Sequence, residues 1–500
     1  MADSPSQSQN RTFHRYGASA GAAARGSAAT GHVRIARPST FRRICGDALA
    51  WPLLAFAWSL ASLTRPFMHR LLLAVVVLDI PLRFENNLLY RADVETFGSL
   101  GGFNVSVTTV ALMLLCVRWA LMVVASPGRK PAGAGLAGRP LAAYLVFAAL
   151  STLLATDVGL AFRELFLLAQ IFFLYRYIVT FVSVDDVRFV MKVTLVALAL
   201  ESLAMLYGAH VGDTVLVLGR RIRVDALGTA RVGGTVGSPN GAATYLSLLI
   251  APAIALLLTP ARPSLKAAAL FCAALAANAL VTTLSRGGWI AVALSLTVLW
   301  FASYRYTRRP LLAPLAALGL AAAVLAFSGG TIAARLTSDD NSSAQSRLPL
   351  MRTAMKIVRD HPLMGVGPNN YSTVMKDYEA VYGDWGDFTF TVHNKFLLVW
   401  AETGPVGLIS FVWFLIATIR MGWSGWRARD PWLSPIALGI TAALMGHVVH
   451  LQVDLFSDRP QVESLWVLAA LVSVIYANTR IGAHQMQPLR ALAHTGADPS

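Results

Sequence analysis

Charge is what this 500-residue chain has least of: 14% of its side chains are Asp, Glu, Lys or Arg, against about 25% in soluble domains. With 56% hydrophobic side chains and a mean hydropathy of +0.57, a water-soluble fold is excluded. Acidic residues are scarcer still, 26 against 42 basic ones, for a formal charge of +16. That excess could indicate a nucleic-acid partner, but Arg and Lys fall mostly in short connections between apolar runs, where they set membrane topology. No nucleic acid is expected. The three cysteines, Cys45, Cys116 and Cys272, have neither a metal-ligand spacing nor a disulfide pattern and read as packing residues.

Continuous apolar runs near the ~20 residues that cross a bilayer recur along the chain, and they do not alternate as barrel strands would. The expected fold is therefore an all-α polytopic membrane protein. Runs centre on 68–83, 103–124, 141–157, 160–181, 188–210, 240–258, 265–284, 287–304, 310–328, 394–420, 433–453 and 462–479. They make about twelve transmembrane helices. The basic connections at 64–70, 126–140, 259–266, 304–310 and 420–431 all fall on one side in that count, which is the cytoplasm by the positive-inside rule. The opposite side takes 84–102, 211–239, 329–393 and 454–461.

The apolar stretch 47–63 would be a thirteenth crossing, but it would export an N-terminal segment with seven Arg residues. It is expected to lie along the inner face as an interfacial helix anchored by tryptophan. Residues 1–46, rich in Ser, Ala, Gly and Arg ("GASAGAAARGSAATGHVRIARPS"), have no apolar core and are expected to be a disordered basic cytoplasmic segment. They do not read as a cleaved signal peptide. Spans one to nine then occupy 64–328 and spans ten to twelve 394–480, with a cytoplasmic tail at 481–500. Both termini are expected inside.

The long segment 329–393 is expected to be a large periplasmic loop between spans nine and ten. It carries six basic and seven acidic residues and is long enough to form a small cap. Within it an amphipathic helix is expected, with Leu348, Met351, Met355 and Val358 on one face, stopped by Pro362 and the Gly365/Gly367/Pro368 turn.

Polar residues in or beside spans are costly and so become candidates for function. The strongest lie at the predicted external ends: Arg231 and Asn240 in "TARVGGTVGSPNGAATYL", Arg286 in "TTLSRGGWI", Arg347 and Arg352 in the long loop, and His393 where the tenth span opens. Several guanidinium groups on one face suit a pyrophosphate, because each offers a rigid fork of donors and stays charged. Arg286 alone could equally cap a hairpin or meet lipid headgroups. Histidine as a residue type suits general-base work near neutrality, yet a histidine at a helix start can also be a plain interfacial residue.

Glu402 is a poor partner for His393. Nine residues along a helix is about two and a half turns and roughly 13 Å, which puts it on another face as a packing or interhelical hydrogen-bonding residue. His447, His450 and Asp454 could suggest a metal site, but helix–helix hydrogen bonding explains them as well. The chain has no D-x-D sequence, no Walker loop and no G-x-S-x-G elbow. Chemistry without metal or cofactor on an already activated donor is what remains.

Together, "SRLPLMRTAMKIVRDHPLMGVGPNNY" and "HNKFLLVWAETGPVGL" resemble the signature region of the O-antigen ligase and polymerase superfamily, which carries dHPl-GvG-n-y, then HN-x-x-L, then E-x-G-x-x-G. "RVGGTVGSPNGAATYL" and "TLSRGGWI" match the family pattern upstream, and the resemblance covers about residues 140–480. It implies an inner-membrane glycosyltransferase with a glycan donor linked to undecaprenyl diphosphate, bound at the periplasmic face. His393 would be the base, Arg231 and Arg286 would hold the pyrophosphate, Arg347 would assist and Asn240 would line the donor site. The acceptor implied is lipid A-core for a ligase, or a growing polysaccharide for a polymerase of O-antigen or exopolysaccharide. Membrane lipids are the remaining expected partners. A transporter is the reading from another class. It fits less well, because the polar candidates cluster at one face and the single long loop breaks any symmetry of halves.

Overall fold

A computed structural model describes residues 58–93, 96–97, 100–125, 135–211, 215–217, 220–225, 231–306, 312–337, 341–378 and 389–495. The expectations for 1–46 and for most of 47–63 lie outside those residues; Trp58–Leu63, the last part of the latter, is helical.

The chain from Ser59 onward is a bundle of long apolar helices with very little sheet. Ten described helices are long and apolar enough to cross a bilayer. The other two segments counted as crossings from sequence are also helical, at Pro66–Leu82 and Gly135–Thr152, but neither meets that measure of length and apolarity. The multi-pass all-α architecture therefore stands, on ten clear spans. Helix is the form such runs must take, since hydrocarbon offers no partner for a free peptide group.

Burial sorts the helices into centre and rim. In Pro239–Leu258, 94% of the apolar window is buried, and in Leu433–His450 and Arg459–Arg480 it is 83%; only 11% of Pro314–Arg335 is buried, so that helix is peripheral. Helix Leu433–His450 packs on Pro239–Ala255, Arg286–Tyr306 and Lys395–Arg427, while Lys395–Arg427 lies along Gly135–Thr152. Trp466 and Phe414 meet in the core with ring centroids 5.9 Å apart.

Three helices begin at one end of the bundle with side-chain caps. Asp157 accepts from the Leu160 N–H at 3.0 Å, Ser238 from Gly241 at 3.1 Å and Asn394 from Leu397 at 3.0 Å. Each satisfies a backbone donor that the first turn leaves unpaired. The same end carries the short strands. Glu85–Leu88 pairs antiparallel with Phe103–Ser106, and Arg220–Asp225 pairs antiparallel with both Val215–Val217 and Arg231–Gly234.

The segment between helices Leu312–Thr337 and Lys395–Arg427 builds a core of its own. Helix Asn341–Asp360 buries Leu350, Ala354, Ile357 and Val358 against Val366, Tyr371, Val392, Leu398 and Ala401. The buried face differs from the expected one: Val358 is inside, but Leu348 is 54% and Met351 36% exposed. Residues 379–388 of this segment lie outside the described residues.

Candidate functional site

The "GVGPNNY" and "ETGPVG" motifs prove to be two halves of one joint. Pro405 has no N–H, so the carbonyl of Ala401 loses its helical donor, and Gly404 (φ 72°) kinks the helix there. The freed carbonyls are taken up from outside: Val366 N–H donates to Ala401 O at 2.9 Å and Gly367 N–H to Glu402 O at 3.0 Å. A side chain at Gly404 would collide with the carbonyl of Leu363. Ser151 Oγ lies 2.6 Å from both Met364 O and Glu402 O, and the Glu402 carboxylate accepts the Tyr371 N–H at 3.3 Å. Asn369 bonds Leu100 and Leu160, and Asn370 bonds Asp157. These residues hold the loop in place.

His393 is different. It is half-buried on the bend just before helix Lys395–Arg427, and its Nδ1 is buried with no hydrogen-bond partner among the described residues. The two residues that follow it fix the backbone there. Asn394 Nδ2 donates to Gln452 O at 3.1 Å, Lys395 N–H to Leu451 O at 2.9 Å, and Lys395 Nζ to Ser457 Oγ at 3.0 Å. The helix start is thus tied to the 451–458 connection. There Asp454 is buried, with its Oδ1 accepting the Leu455 N–H at 2.8 Å. Burial pushes the Asp454 carboxyl above its usual range, opposed by the charges of His393, Arg347 and Arg231, which act on it from around the site.

Three of the predicted substrate-binding positions adjoin one another. Arg231 Nη2 donates to Asn240 Oδ1 at 2.7 Å and its Nε to Thr283 O at 2.9 Å, three residues before Arg286. Arg286 Nη2 donates to the carbonyl of Arg335 at 2.9 Å. His450 closes the gap, since a Cβ at Gly287 would lie 2.7 Å from its ring, and Arg347 acts electrostatically on it. Arg231, Asn240, Arg286, Arg347, His393, His450 and Asp454 therefore occupy one end of the bundle. Arg352 is exposed on the cap. The rings of His447 and His450 both pack on Phe456, with centroids 5.4 and 4.6 Å away. Among the described residues no three or more His, Cys, Asp or Glu groups are placed to hold a metal ion.

Part of this end matches a known family. Residues 271–412 fit the family model described as O-antigen ligase. The likeness covers 271–412 and no more of the chain. The matched stretch holds Arg286, Arg347, His393 and the Glu402 joint, while Arg231, Asn240 and Asp454 come from outside it. No curated protein matches the chain. The match and the ten apolar helices support a multi-pass membrane protein similar to enzymes of the O-antigen ligase or polymerase type.

Two features of the site escaped sequence reasoning. Asp454 was legible only as a weak metal ligand, and its nearness to His393 needed the fold. Lys395 and Glu164 are ionisable residues inside apolar runs, a signal present in the sequence; they line one cavity with Tyr144, His447 and Gln461.

Proposed function

We propose that this protein transfers a glycan from undecaprenyl diphosphate to a sugar hydroxyl of lipid A-core, at the periplasmic face of the bacterial inner membrane, with both termini in the cytoplasm. The observation that supports the reading is that Arg231 bonds Asn240 and the carbonyl of Thr283, three residues before Arg286, while Arg286, Arg347 and the half-buried His393 all fall within the stretch similar to the O-antigen ligase family. His393 takes the proton of the acceptor hydroxyl. The oxygen attacks the anomeric carbon, the bond from that carbon to the diphosphate oxygen breaks, and undecaprenyl diphosphate leaves with inversion. Arg231 and Arg286 hold the pyrophosphate and stabilise its growing charge, Arg347 assists from the cap, and Asn240 fixes the Arg231 fork. Asp454 faces the cationic group and steadies His393 as it gains a proton. Metal and cofactor have no step in this scheme.

A polymerase that joins lipid-linked repeat units uses the same donor and the same base. Mass spectrometry of products from purified protein, given lipid-diphosphate-linked oligosaccharide with and without lipid A-core, tests the reading. Glycan on lipid A-core supports a ligase. Longer lipid-linked chains made without that acceptor would replace the ligase reading by the polymerase one.

A further inference from the structure

The chain between strand Arg231–Gly234 and helix Pro239–Ala255 turns inside the protein, and Val232 to Val236 are all buried. Buried peptide groups outside helix and ladder need partners, and two of them here find the same side chain. Glu201, fully buried in helix Val184–Val211, accepts the N–H of Thr235 at 3.0 Å and that of Val236 at 3.4 Å on its Oε1. Its Oε2 is hydrogen-bonded to Thr235 Oγ1, and that hydroxyl also meets the carbonyl of Pro81 at 2.8 Å. Glycine makes the approach possible: Gly234 has φ 57°, and a Cβ there would strike the Glu201 carboxyl. From the other side Arg83 Nη1 donates to Val236 O at 2.6 Å.

The hydroxyl of Thr235 has one proton and two oxygen partners. A carbonyl only accepts, so that proton goes to Pro81 O, and the proton between Thr235 Oγ1 and Glu201 Oε2 comes from the carboxyl. An ionised Glu201 would leave Thr235 Oγ1 facing either the carboxylate or the carbonyl with no proton between them. We propose that Glu201 is a positioning residue for the donor site: as a neutral carboxylic acid it clasps the turn at Thr235 and Val236, and the turn sets Arg231 on one side and Asn240 on the other. The inference rests on the reading of Arg231 and Asn240 as donor-site residues. They meet across this turn, Arg231 Nη2 donating to Asn240 Oδ1 at 2.7 Å. Glu201 touches no reacting atom in this account; it acts through the backbone that carries the Arg231 fork.

A purely structural Glu201 would change how much protein folds and leave donor KM of the folded fraction unmoved. The test uses full-length protein in lipid nanodiscs, with Glu201→Gln, Glu201→Met and Thr235→Val, given the lipid-diphosphate-linked oligosaccharide as donor. Gln reproduces the neutral acid: its oxygen accepts both N–H groups and its amide donates to Thr235 Oγ1. Glu201→Met is expected to raise donor KM by about tenfold or more with acceptor KM within about threefold, and Glu201→Gln to keep both within about threefold of wild type.

Wild-type donor KM in Glu201→Met overturns the positioning role, and a Glu201→Gln protein as impaired as Glu201→Met overturns the neutral acid. Thr235→Val is the mildest change and decides the matter if Glu201→Met does not fold: a rise in donor KM of about threefold or more supports the clasp, and a wild-type value overturns it. Amide hydrogen exchange at Thr235 and Val236 reads the clasp without turnover. It is expected to be slow in wild type and Glu201→Gln and about tenfold or more faster in Glu201→Met, and equal rates in all three overturn the clasp. An inactive wild-type protein with slow exchange would contradict the functional reading, a result distinct from an active wild type with unaffected variants, which contradicts only the clasp.

Discussion

Replacing Glu85 by Gln tests how the site's end of the bundle is held. The Glu85 side chain is 5% exposed and lies between two guanidinium groups. Its Oε1 accepts from Arg83 Nε at 2.8 Å and Nη2 at 2.5 Å, and its Oε2 from Arg459 Nε at 2.7 Å. Arg459 also meets Asp79 at 3.2 Å and Glu463 at 2.9 Å. Gln keeps the shape and one acceptor oxygen but loses the charge. Charge-assisted bonds are about twice as strong as neutral ones, so each of these contacts forfeits about 1 kcal/mol. Asp79 and Glu463 still balance Arg459, and the Arg83 side chain is 23% exposed and so partly solvated, which keeps the loss below the ~3–5 kcal/mol of an uncompensated buried charge.

The expected destabilisation is therefore about 2–3 kcal/mol, measured by denaturant titration of the detergent-solubilised protein at neutral pH. The sign of its pH dependence follows from the same contacts. Burial is the largest single influence and pushes the Glu85 carboxyl up, but Arg83 and Arg459 together hold it below the usual range. A carboxyl depressed in the folded state contributes stability above its unfolded pKa, about 4.3, and loses it as pH falls through the folded value. Wild type and Glu85→Gln should accordingly converge at low pH. A variant within about 0.5 kcal/mol of wild type at pH 7 would refute the reasoning, because a loss that small is what an exposed ion pair gives. The consequence reaches the site, since Arg83 Nη1 donates to Val236 O at 2.6 Å in the loop that leads to Asn240.

Gly404→Ala should cost about 2 kcal/mol or more, seen as loss of folded yield, because the position needs φ 72° and a Cβ meets the Leu363 carbonyl. Lys at Arg231 or at Arg286 should cut transfer by about tenfold or more, because one ammonium cannot reproduce the fork that bonds Thr283 and Asn240 or reaches the Arg335 carbonyl. Wild-type rates in both variants would count against a bidentate clamp. Asp157 is held low: burial pushes it up, but the Leu160 N–H and Arg91 prevail. Its contribution to stability is thus present above the unfolded pKa and fades as pH falls through the folded one. Asp157→Asn should weaken that acid-limb dependence in a pH series of unfolding midpoints.

Much of this was legible in the residues because membrane helices obey a one-dimensional rule. Apolar length marks a span, and helices were found at every predicted run. The two segments that fall short of clear spans, 66–82 and 135–152, carry Arg70, Asp79, Gly135 and Gly138, which dilute the signal. Arg231, Asn240 and Arg286 were found at one end because loop placement alone put them there. The contacts between them were not legible, since Arg231 meets Thr283 across 52 positions of sequence. Helix Asn341–Asp360 shows another limit: periodicity offered Leu348 and Met351 as its buried face, but the fold chose Leu350, Ala354 and Ile357. A helix with apolar residues on two stripes cannot declare which one the core will take. Glu402, expected from helical phase to be a packing or hydrogen-bonding residue, accepts the Tyr371 N–H.

The central claim is that His393 supplies the base for glycan transfer at an arginine-lined site. The most direct test compares wild type and His393→Ala for donor binding and for product formation with the same lipid-diphosphate-linked oligosaccharide and acceptor. The account predicts donor affinity within about threefold of wild type and transfer reduced by about 100-fold or more, the range general-base catalysis contributes. Transfer at the wild-type rate by a folded His393→Ala protein would contradict it.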